Sequence, residues 1–374
     1  MKNILVMESG SFKTFGGAAN ATYDIYKFLK ESNEYKVDLF ADFTKLDSNI
    51  KSITTHDMIK KKYDVIFMNS IRDVPFVLKY LLNKKSKDAK YIYVDRGNVL
   101  LNFKKARVKK LLPKMIIRQY LMRKMKNFLS CYIALSALQL KLATNFFKEK
   151  TQLCYLPITP NENFKRVLVG NKSEHAIYVG RLDEKQKKVG GLIKGVERVA
   201  TMNPELKSRH LLTIVGTGPD EEKYKKYVKE MFLEKNIKFE GYANEKDVVR
   251  YYNSSGFFVS NSEWEGMSRT FVEAMACGLP LLINEKNNTL IGYNPITWLV
   301  TNEYNGLVYK YADIEDFARR FYDLYKRDSL RRELSRNAYE FSKQFNNLEN
   351  LKTYKDIIDR LLSNKLVSSI IFKQ

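Results

Sequence analysis

The chain has 374 residues, of which 44% are hydrophobic, and its formal net charge at pH 7 is +23. Its length suffices for two ordinary domains with packed cores, and its hydrophobic fraction excludes an intrinsically disordered protein. No run of 18 or more apolar residues occurs, which excludes an apolar membrane-spanning helix. The three cysteines have neither metal-binding nor redox spacing, and their odd number argues against a disulfide framework. We therefore expect a cytoplasmic globular protein.

Short apolar runs alternate with helical patterns in the first half of the chain. Residues 1–7 resemble the start of a signal peptide, but Glu8 follows and no small-residue cleavage site appears, so a first strand is predicted. Residues 18–30 have apolar residues three and four apart, which predicts a helix. This alternation predicts a parallel sheet with helices on both faces. The predicted strands are Asn3–Met7, Val37–Phe40, Val65–Met68, Tyr91–Val94 and Tyr132–Leu135.

A second set of strands follows a linker marked by Pro157 and Pro160. We predict domains at 1–165 and 170–350, with a final helix at about 354–365. Two Rossmann-like units should bind a ligand in the cleft at the carboxyl ends of their strands. The predicted strands of the second domain are Ala176–Val179, Leu211–Val215, Ile237–Phe239, Gly256–Val259 and Leu281–Ile283.

The segment from Ser262 to Pro280 contains two carboxylates, Glu265 and Glu273, eight positions apart. It follows a predicted strand, and Ser268 is a predicted helix cap. Backbone N–H groups at such a helix start are free and lie beside a partial positive charge. The pattern favours an anionic or polyhydroxylated ligand, because the helix end donates hydrogen bonds and the acids accept them.

This segment resembles the glutamate–seven–glutamate motif of retaining glycosyltransferases of family 4, which have the GT-B fold. The spacing alone would favour two solvated acids, but the full run of residues favours the functional interpretation. The resemblance implies that Glu265 contacts the hydroxyls of the donor sugar and Glu273 the ribose of the nucleotide. The donor-binding candidates in this segment are Glu265, Gly266, Met267, Ser268, Arg269, Thr270 and Glu273.

A second match to this family begins at Gly180-Arg181-Leu182 and continues to a lysine about six residues later. The resemblance implies that Arg181 and one lysine clamp the leaving diphosphate, where fixed cations stabilise the developing negative charge. Lys185, Lys187 and Lys188 are the candidates, and we choose Lys187 from its spacing to the following helix. A solvated basic turn remains the alternative for the other two lysines.

Three further positions match the family less specifically. Gly16 and Gly17 precede the first helix, where paired glycines let backbone N–H groups approach a phosphate. They do not form the G-x-G-x-x-G fingerprint, which argues against a nicotinamide dehydrogenase. By resemblance, Gly16 and Gly17 meet the donor diphosphate, Gly216 lies in a tight turn near the nucleotide, and Tyr242 contacts the base.

The chain departs from the family on the acceptor side. Many relatives place a histidine at the end of an N-domain strand, but His56, His175 and His210 fit that position poorly. The corresponding strand end carries Asp95 and Arg96. Asp95 is our candidate for acceptor binding or for the catalytic base, and a simple Asp–Arg turn pair is the alternative.

No Asp-x-Asp pair follows an apolar strand in a way that would hold a metal-bound diphosphate. Arg181 and Lys187 could replace Mg²⁺ in neutralising the leaving group. We therefore expect no metal and no cofactor, with a nucleotide sugar as the donor substrate.

The positive charge is concentrated in the first half, where residues 1–168 hold 32 Lys and Arg against 14 Asp and Glu. Residues 104–126 carry ten basic residues interleaved with Leu, Ile and Met. Such a segment can be a solvated helix face, a contact to nucleic acid or a contact to an anionic membrane. The apolar content favours the inner face of the cell membrane, and we expect no nucleic acid partner. The membrane or acceptor candidates are Lys104, Lys105, Arg107, Lys109, Lys110, Lys114 and Arg118.

Together these features predict a retaining, metal-independent glycosyltransferase that moves a sugar from a UDP-sugar to an acceptor hydroxyl. The acceptor would be lipid-linked, anionic or a glycan, as in the synthesis of cell-surface polysaccharide or glycolipid. The alternatives are a nucleotide-sugar epimerase or a sugar-phosphate phosphorylase of the same fold, and a non-catalytic basic binding protein.

Overall fold

The computed structural model describes residues 1–9, 17–41, 51–82, 88–96, 100, 113–147, 151–167, 173–263, 265, 267–288 and 298–367, without the side chains of 17–20 and 113–115. The chain forms two units, an N-terminal unit of residues 1–158 and 348–374 and a second unit of residues 159–347. The boundary between the units, at residues 158 and 159, lies a few residues before the predicted domain boundary at 165–170. Asn161 and Asn163 explain this, since their side chains donate to Glu245 of the second unit at 2.7 and 2.6 Å.

The described residues of the N-terminal unit form a six-stranded parallel sheet with the order β2-β1-β3-β4-β5-β6. Ile4 in β1 lies opposite Val37 in β2 and Val65 in β3, which fixes the register at the centre of the sheet. The strand β6 was not predicted, because it is a sheet edge with a half-exposed polar start. The strands are β1 Lys2–Glu8, β2 Tyr35–Ala41, β3 Val65–Met68, β4 Lys90–Val94, β5 Cys131–Ala134 and β6 Gln152–Tyr155.

Helices connect these strands, as parallel pairing requires. Ser136 and Thr54 are N-caps whose side chains accept from backbone N–H groups in the first turn of their helices. Pro113 begins a helix, where its fixed φ and missing N–H suit the first turn. The helices are α1 Gly17–Glu31, α2 Thr55–Lys60, α3 Val74–Leu81, α4 Pro113–Met125 and α5 Ala137–Phe146.

The described residues of the second unit form another six-stranded parallel sheet, with the order β12-β11-β10-β7-β8-β9. The chain runs from β7 outward to β8 and β9, and from the adjacent β10 outward to β11 and β12. The strand β12 was not predicted; like β6 it is an edge strand. The strands are β7 Ala176–Val179, β8 Leu212–Val215, β9 Ile237–Gly241, β10 Phe257–Ser260, β11 Leu281–Asn284 and β12 Gly306–Tyr309.

Four helices of the second unit (α6, α7, α10 and α11) contribute to one hydrophobic core with the sheet. Gly195 shows how close the packing is, since a Cβ there would lie 2.2 Å from the ring of Phe317. The predicted α/β class with two parallel sheets is confirmed. The helices are α6 Val189–Met202, α7 Glu221–Glu230, α8 Glu245–Ser254, α9 Arg269–Ala276, α10 Ile314–Lys326 and α11 Asp328–Ser342.

The last described helix, α12, runs from Asn347 to Leu362 and so begins earlier than the predicted helix at 354. Its buried residues Leu351, Tyr354 and Ile357 belong to the same core cluster as Ile4 of β1. The C-terminal helix is therefore part of the N-terminal unit.

A histidine pair lies at the amino ends of β7 and β8. The rings of His175 and His210 stack with their centroids 4.5 Å apart, and the Ser255 hydroxyl lies 3.1 Å from His175 Nε2. Burial, then the neighbouring His210 and Lys238, lower the pKa of His175 from 6.5 to about 4. Burial and Lys238 also lower the pKa of His210. Both rings are therefore neutral in the folded protein at neutral pH.

We expect this pair to make folding sensitive to acid. Between about pH 6.5 and 4, the unfolded chain binds protons at His175 that the folded protein does not, so stability decreases as the pH falls through this window. Lowering the pH from 7 to 4.5 should cost about 2 kcal/mol through His175 alone. Urea unfolding at several pH values in this range measures the slope of the free energy of unfolding against pH. It should flatten in His175→Asn and persist in His56→Asn, which changes an exposed histidine; equal slopes in all three proteins would contradict the expectation.

Candidate functional site

Two loops meet at the carboxyl edge of the second sheet. The first, residues 180–188, follows β7, and the second, residues 261–268, follows β10. The two strands pair in parallel, with Phe257 opposite Ala176, and the chain leaves them in opposite directions. Such a switch in strand order opens a crevice beyond the strand ends, where ligands bind in open α/β sheets.

An ion pair joins the two loops. Lys187 Nζ lies 2.5 Å from Glu265 Oε1, with 20% of the lysine side chain and 8% of the glutamate side chain exposed. The Ser262 hydroxyl donates to the same carboxylate oxygen at 2.8 Å. The Glu263 N–H also donates to the Gln186 carbonyl at 2.6 Å, so backbone contacts hold the loops together. The structure thus brings together two of the predicted site residues, and Lys187 is the lysine of its loop that reaches Glu265.

A buried carboxylate shapes the first loop. Asp183 Oδ1 accepts from the N–H groups of Gln186 and Lys187 at 2.7 and 3.2 Å, and Asp183 also pairs with Arg181. Burial opposes ionisation of Asp183, but the two N–H groups and the Arg181 guanidinium outweigh it and lower the pKa of this carboxyl. The Arg181 side chain is 58% exposed. One carboxylate thereby fixes the loop that carries both predicted cations.

Sequence reasoning missed Asp183 and Ser262. Aspartate is common in turns because its carboxylate accepts hydrogen bonds from the backbone N–H groups that follow it. This preference could have indicated Asp183. Ser262 and Glu265 have the S-x-x-E spacing of a capping box, although here the hydroxyl donates to the carboxylate itself.

Glycines let the turn that follows β8 approach this loop closely. Gly216 has φ +129°, and a Cβ there would lie 2.0 Å from the Gly180 carbonyl oxygen. A Cβ on Gly218 would lie 2.2 Å from the Leu182 carbonyl oxygen. Gly216 therefore lies beside the cationic loop, and the close approach of two backbones requires glycine at both positions.

The second acid of the motif lies within α9. Arg269 Nε donates to Glu273 Oε1 at 2.9 Å, and both side chains are buried. Ser268 occupies the N-cap position as predicted, but its hydroxyl lies 3.0 Å from the Thr270 hydroxyl instead of capping a backbone N–H. Met267 is buried beside this helix start.

Tyr242 directly follows β9 and is 66% exposed. The preceding Gly241 has φ +67°, and its carbonyl accepts from the Gly216 N–H at 2.7 Å. The ring of Tyr242 is therefore available to a ligand on the same edge of the sheet as Gly216.

Asp95 does not suit the role that we predicted for it. It is fully buried, and the Tyr132 hydroxyl donates to its Oδ2 at 2.6 Å. Its backbone carbonyl accepts from the Gln139 amide at 2.9 Å. Arg96 donates to Asn69 at 3.2 Å. A carboxylate enclosed in this way cannot reach an acceptor, so we withdraw Asp95 as the base.

Several predicted residues lie outside the described residues, namely Gly16, Gly266, Lys104, Lys105, Arg107, Lys109 and Lys110. Gly17 begins α1, Lys114 lies in α4 without a described side chain, and Arg118 is exposed on α4. Within the described ranges, no group of three or more His, Cys, Asp and Glu side chains could hold a metal ion, and no helix is long and apolar enough to cross a membrane.

Residues 160–341 match the model of the family described as Glycosyl transferases group 1. This match lies within the second unit and covers just under half of the chain. The match includes Arg181, Lys187, Glu265 and Glu273, which are the residues that carry the resemblance in the sequence.

Known proteins are also similar in sequence to this chain. A relative from Methanocaldococcus jannaschii, named "Uncharacterized glycosyltransferase MJ1069", is 29% identical over 188 residues, which are 50% of this chain and 45% of that protein. The chain thus spans less than half the length of this relative.

Two solved structures share the fold. Sucrose-phosphate synthase from Thermosynechococcus elongatus has a TM-score of 0.74 at 15% identity, and the match covers 98% of this chain and 100% of that one. Anabaena HepE in complex with UDP-glucose has a TM-score of 0.71 at 18% identity, covering 97% of this chain and 100% of that one. The predicted GT-B fold class is confirmed.

The glycine turn provides a test of the site's architecture. Gly218→Ala should destabilise the protein by about 2–3 kcal/mol, because the new Cβ meets the backbone of Leu182 and the turn must move. Gly241→Ala is the matched control: nothing lies within 4 Å of its Cβ, so only the positive φ opposes it and the loss should be about 1 kcal/mol. Denaturant unfolding measures both. A larger loss in the Gly241 variant would contradict the packing described here.

Proposed function

We propose that this protein is a retaining, metal-independent glycosyltransferase that uses a UDP-sugar donor. One observation carries the proposal: in the unit that matches the group 1 family model, the cationic loop of Arg181 and Lys187 is joined to Glu265 at the switch point of the sheet. Cations for a diphosphate and a carboxylate for sugar hydroxyls lie side by side, as a nucleotide sugar requires.

The chemistry follows from these charges. When the bond between the sugar and the diphosphate breaks, negative charge develops on the leaving nucleoside diphosphate, and Arg181 and Lys187 stabilise it. Glu265 accepts hydrogen bonds from hydroxyls of the sugar, Glu273 from the ribose, and Tyr242 contacts the base. In a retaining transfer, the acceptor oxygen attacks the face from which the diphosphate departs, and a phosphate oxygen takes the acceptor's proton.

The choice of uridine as the donor base is supported by a structural neighbour. HepE, which has the same fold, was solved with UDP-glucose bound. Because that protein is only 18% identical to this chain, the base and the sugar are matters for experiment.

A panel of UDP-, GDP- and ADP-sugars, each measured once with EDTA and once with Mg²⁺ and with NAD as a control, tests the donor and the metal together. We expect UDP-sugars to raise Tm and to be hydrolysed slowly without metal. Glu265→Ala should reduce this hydrolysis by about 100-fold, because the sugar loses its hydrogen-bond acceptor in the transition state.

The other outcomes of this panel separate the alternatives. No shift in Tm with any nucleotide, in a folded sample, would favour a non-catalytic basic protein. Binding that requires Mg²⁺ would contradict the metal-independent mechanism. Interconversion of the sugar without its release would favour an epimerase, and a requirement for phosphate as the co-substrate would favour a phosphorylase.

We propose further that the N-terminal unit binds the acceptor at an anionic membrane surface. The helix α4 supports this, since Ile116, Ile117 and Tyr120 are 53%, 57% and 54% exposed. The cations Arg123 and Lys124 are exposed on the same side of the helix. The opposite side is buried in the core through Leu121, Met122 and Met125.

An outward face with both large apolar groups and cations suits the boundary between headgroups and acyl chains. The Lys124 ammonium lies 5.3 Å from the centre of the Tyr120 ring, so charge and apolar surface are adjacent. No acidic residue occurs from Arg96 to Lys148 in the sequence, so anionic lipid meets no repulsion from this segment. A lipid-linked, anionic or glycan acceptor at the inner face of the membrane would be presented to this unit.

Vesicle binding tests the membrane proposal. Replacing Arg118, Arg123 and Lys124 by Gln should weaken binding to phosphatidylglycerol vesicles by about tenfold or more, since each cation contributes about 1 kcal/mol near an anionic surface. The matched control replaces three exposed lysines of the second unit, Lys207, Lys223 and Lys229, which changes the net charge equally. An equal loss in both triple variants would show that net charge alone drives binding and would contradict a specific surface on α4.

A further inference from the structure

The Lys187–Glu265 pair has a consequence for which ligands the site prefers. In the ligand-free protein, the cation proposed to hold the diphosphate is already bound by the carboxylate proposed to hold the sugar, at 2.5 Å. Only 8% of the Glu265 side chain is exposed, so neighbouring protein groups stabilise its negative charge more than water does. Of the described groups, Lys187 and the Ser262 hydroxyl donate to its Oε1.

We infer that Glu265 makes the site prefer a nucleoside diphosphate that carries a sugar over the free nucleoside diphosphate, by exchanging Lys187 for hydroxyls of the sugar. This inference rests on the function proposed above and assigns Glu265 a second task, which is the selection of the bound species.

The free nucleoside diphosphate meets two costs at this site. Drawing Lys187 toward the phosphates weakens its contact with a largely buried carboxylate, and a buried charge that loses its partner is strongly unfavourable. The Glu265 charge also repels the phosphates, and this repulsion is large where water is excluded. Both costs arise from the same negative charge.

A sugar on the diphosphate offsets the first cost. Its hydroxyls donate hydrogen bonds to Glu265 and replace the contact that Lys187 gives up. Hydrogen bonds to an ionised acceptor are roughly twice as strong as those between neutral groups. The intact donor therefore releases Lys187 for the diphosphate, whereas the free nucleotide does not.

The exchange also favours release of the product. Once the sugar has been transferred, Glu265 has lost its hydroxyl partners and takes Lys187 back. The nucleoside diphosphate then leaves a site whose main cation is occupied. The hydrogen bond from the Glu263 N–H to the Gln186 carbonyl keeps the two loops together while Lys187 changes partners, and Ser262 remains bound to Glu265.

Calorimetric titration of UDP and UDP-glucose, with EDTA present, tests the exchange. Glu265→Gln keeps the shape of the side chain and removes its charge. We expect this variant to bind UDP about 3- to 10-fold more tightly and UDP-glucose more weakly than the wild type, so that the two affinities change in opposite directions. A residue with a purely structural role would shift both affinities the same way.

Asp316→Asn provides the matched control. Asp316 is also a buried carboxylate that accepts a backbone N–H, from Lys310 at 2.9 Å, and pairs with arginines, but it has no described contact with the site. Its substitution should lower Tm and leave both affinities within about twofold of the wild type.

A second variant keeps the inference testable if Glu265→Gln folds poorly. Ser262→Ala removes the neutral donor to Glu265 and leaves the charges unchanged, so Glu265 depends more on Lys187. This variant should bind UDP more weakly than the wild type, which is opposite to the effect of Glu265→Gln. Unchanged or weaker UDP binding by Glu265→Gln would overturn the exchange alone, and a wild type that binds neither ligand would overturn the proposed donor and the exchange together.

Discussion

The ion pair between Lys187 and Glu265 is the interaction on which the site depends. It joins the loops that follow β7 and β10, the two adjacent strands from which the chain departs in opposite directions. Neither residue could reach the other without the parallel pairing of these two strands, which places both following loops at one edge of the sheet. Packing in the core fixes the positions of the strands, and the strands in turn fix the positions of the loops.

The surrounding contacts explain how a largely buried ion pair is tolerated. Removing two charges from water is costly unless the remaining donors and acceptors are satisfied. Ser262 gives Glu265 a second hydrogen bond, and Asp183 fixes the backbone of Lys187 through two N–H groups. Gly216 and Gly218 then allow the neighbouring turn to pack against this loop without moving it. The backbone that carries the cations is therefore fixed before any ligand arrives, and only the Lys187 side chain has to change partners when the donor binds.

The two units differ in the physical character of their surfaces. In the second unit, several cations form ion pairs with acids, as in the Arg319 and Arg320 contacts to Asp316. The N-terminal unit has an excess of cations, and α4 places some of them beside exposed apolar side chains. This contrast fits a division in which one unit holds a small anionic donor and the other meets a larger anionic or membrane-borne partner.

The sequence alone determined the fold class, because buried parallel strands are continuous apolar runs, and it indicated the two motifs that resemble the group 1 family. It did not reveal β6 and β12, two strands at sheet edges. It favoured Lys187 among three lysines after Arg181 by spacing alone, and the contact of Lys187 with Glu265 depends on the turn held by Asp183. It favoured Asp95 for the acceptor side, whereas the folded chain encloses that carboxylate against Tyr132. Spacing along the chain specifies which residues share an element, but burial and pairing between loops distant in sequence exist only once the sheets have formed.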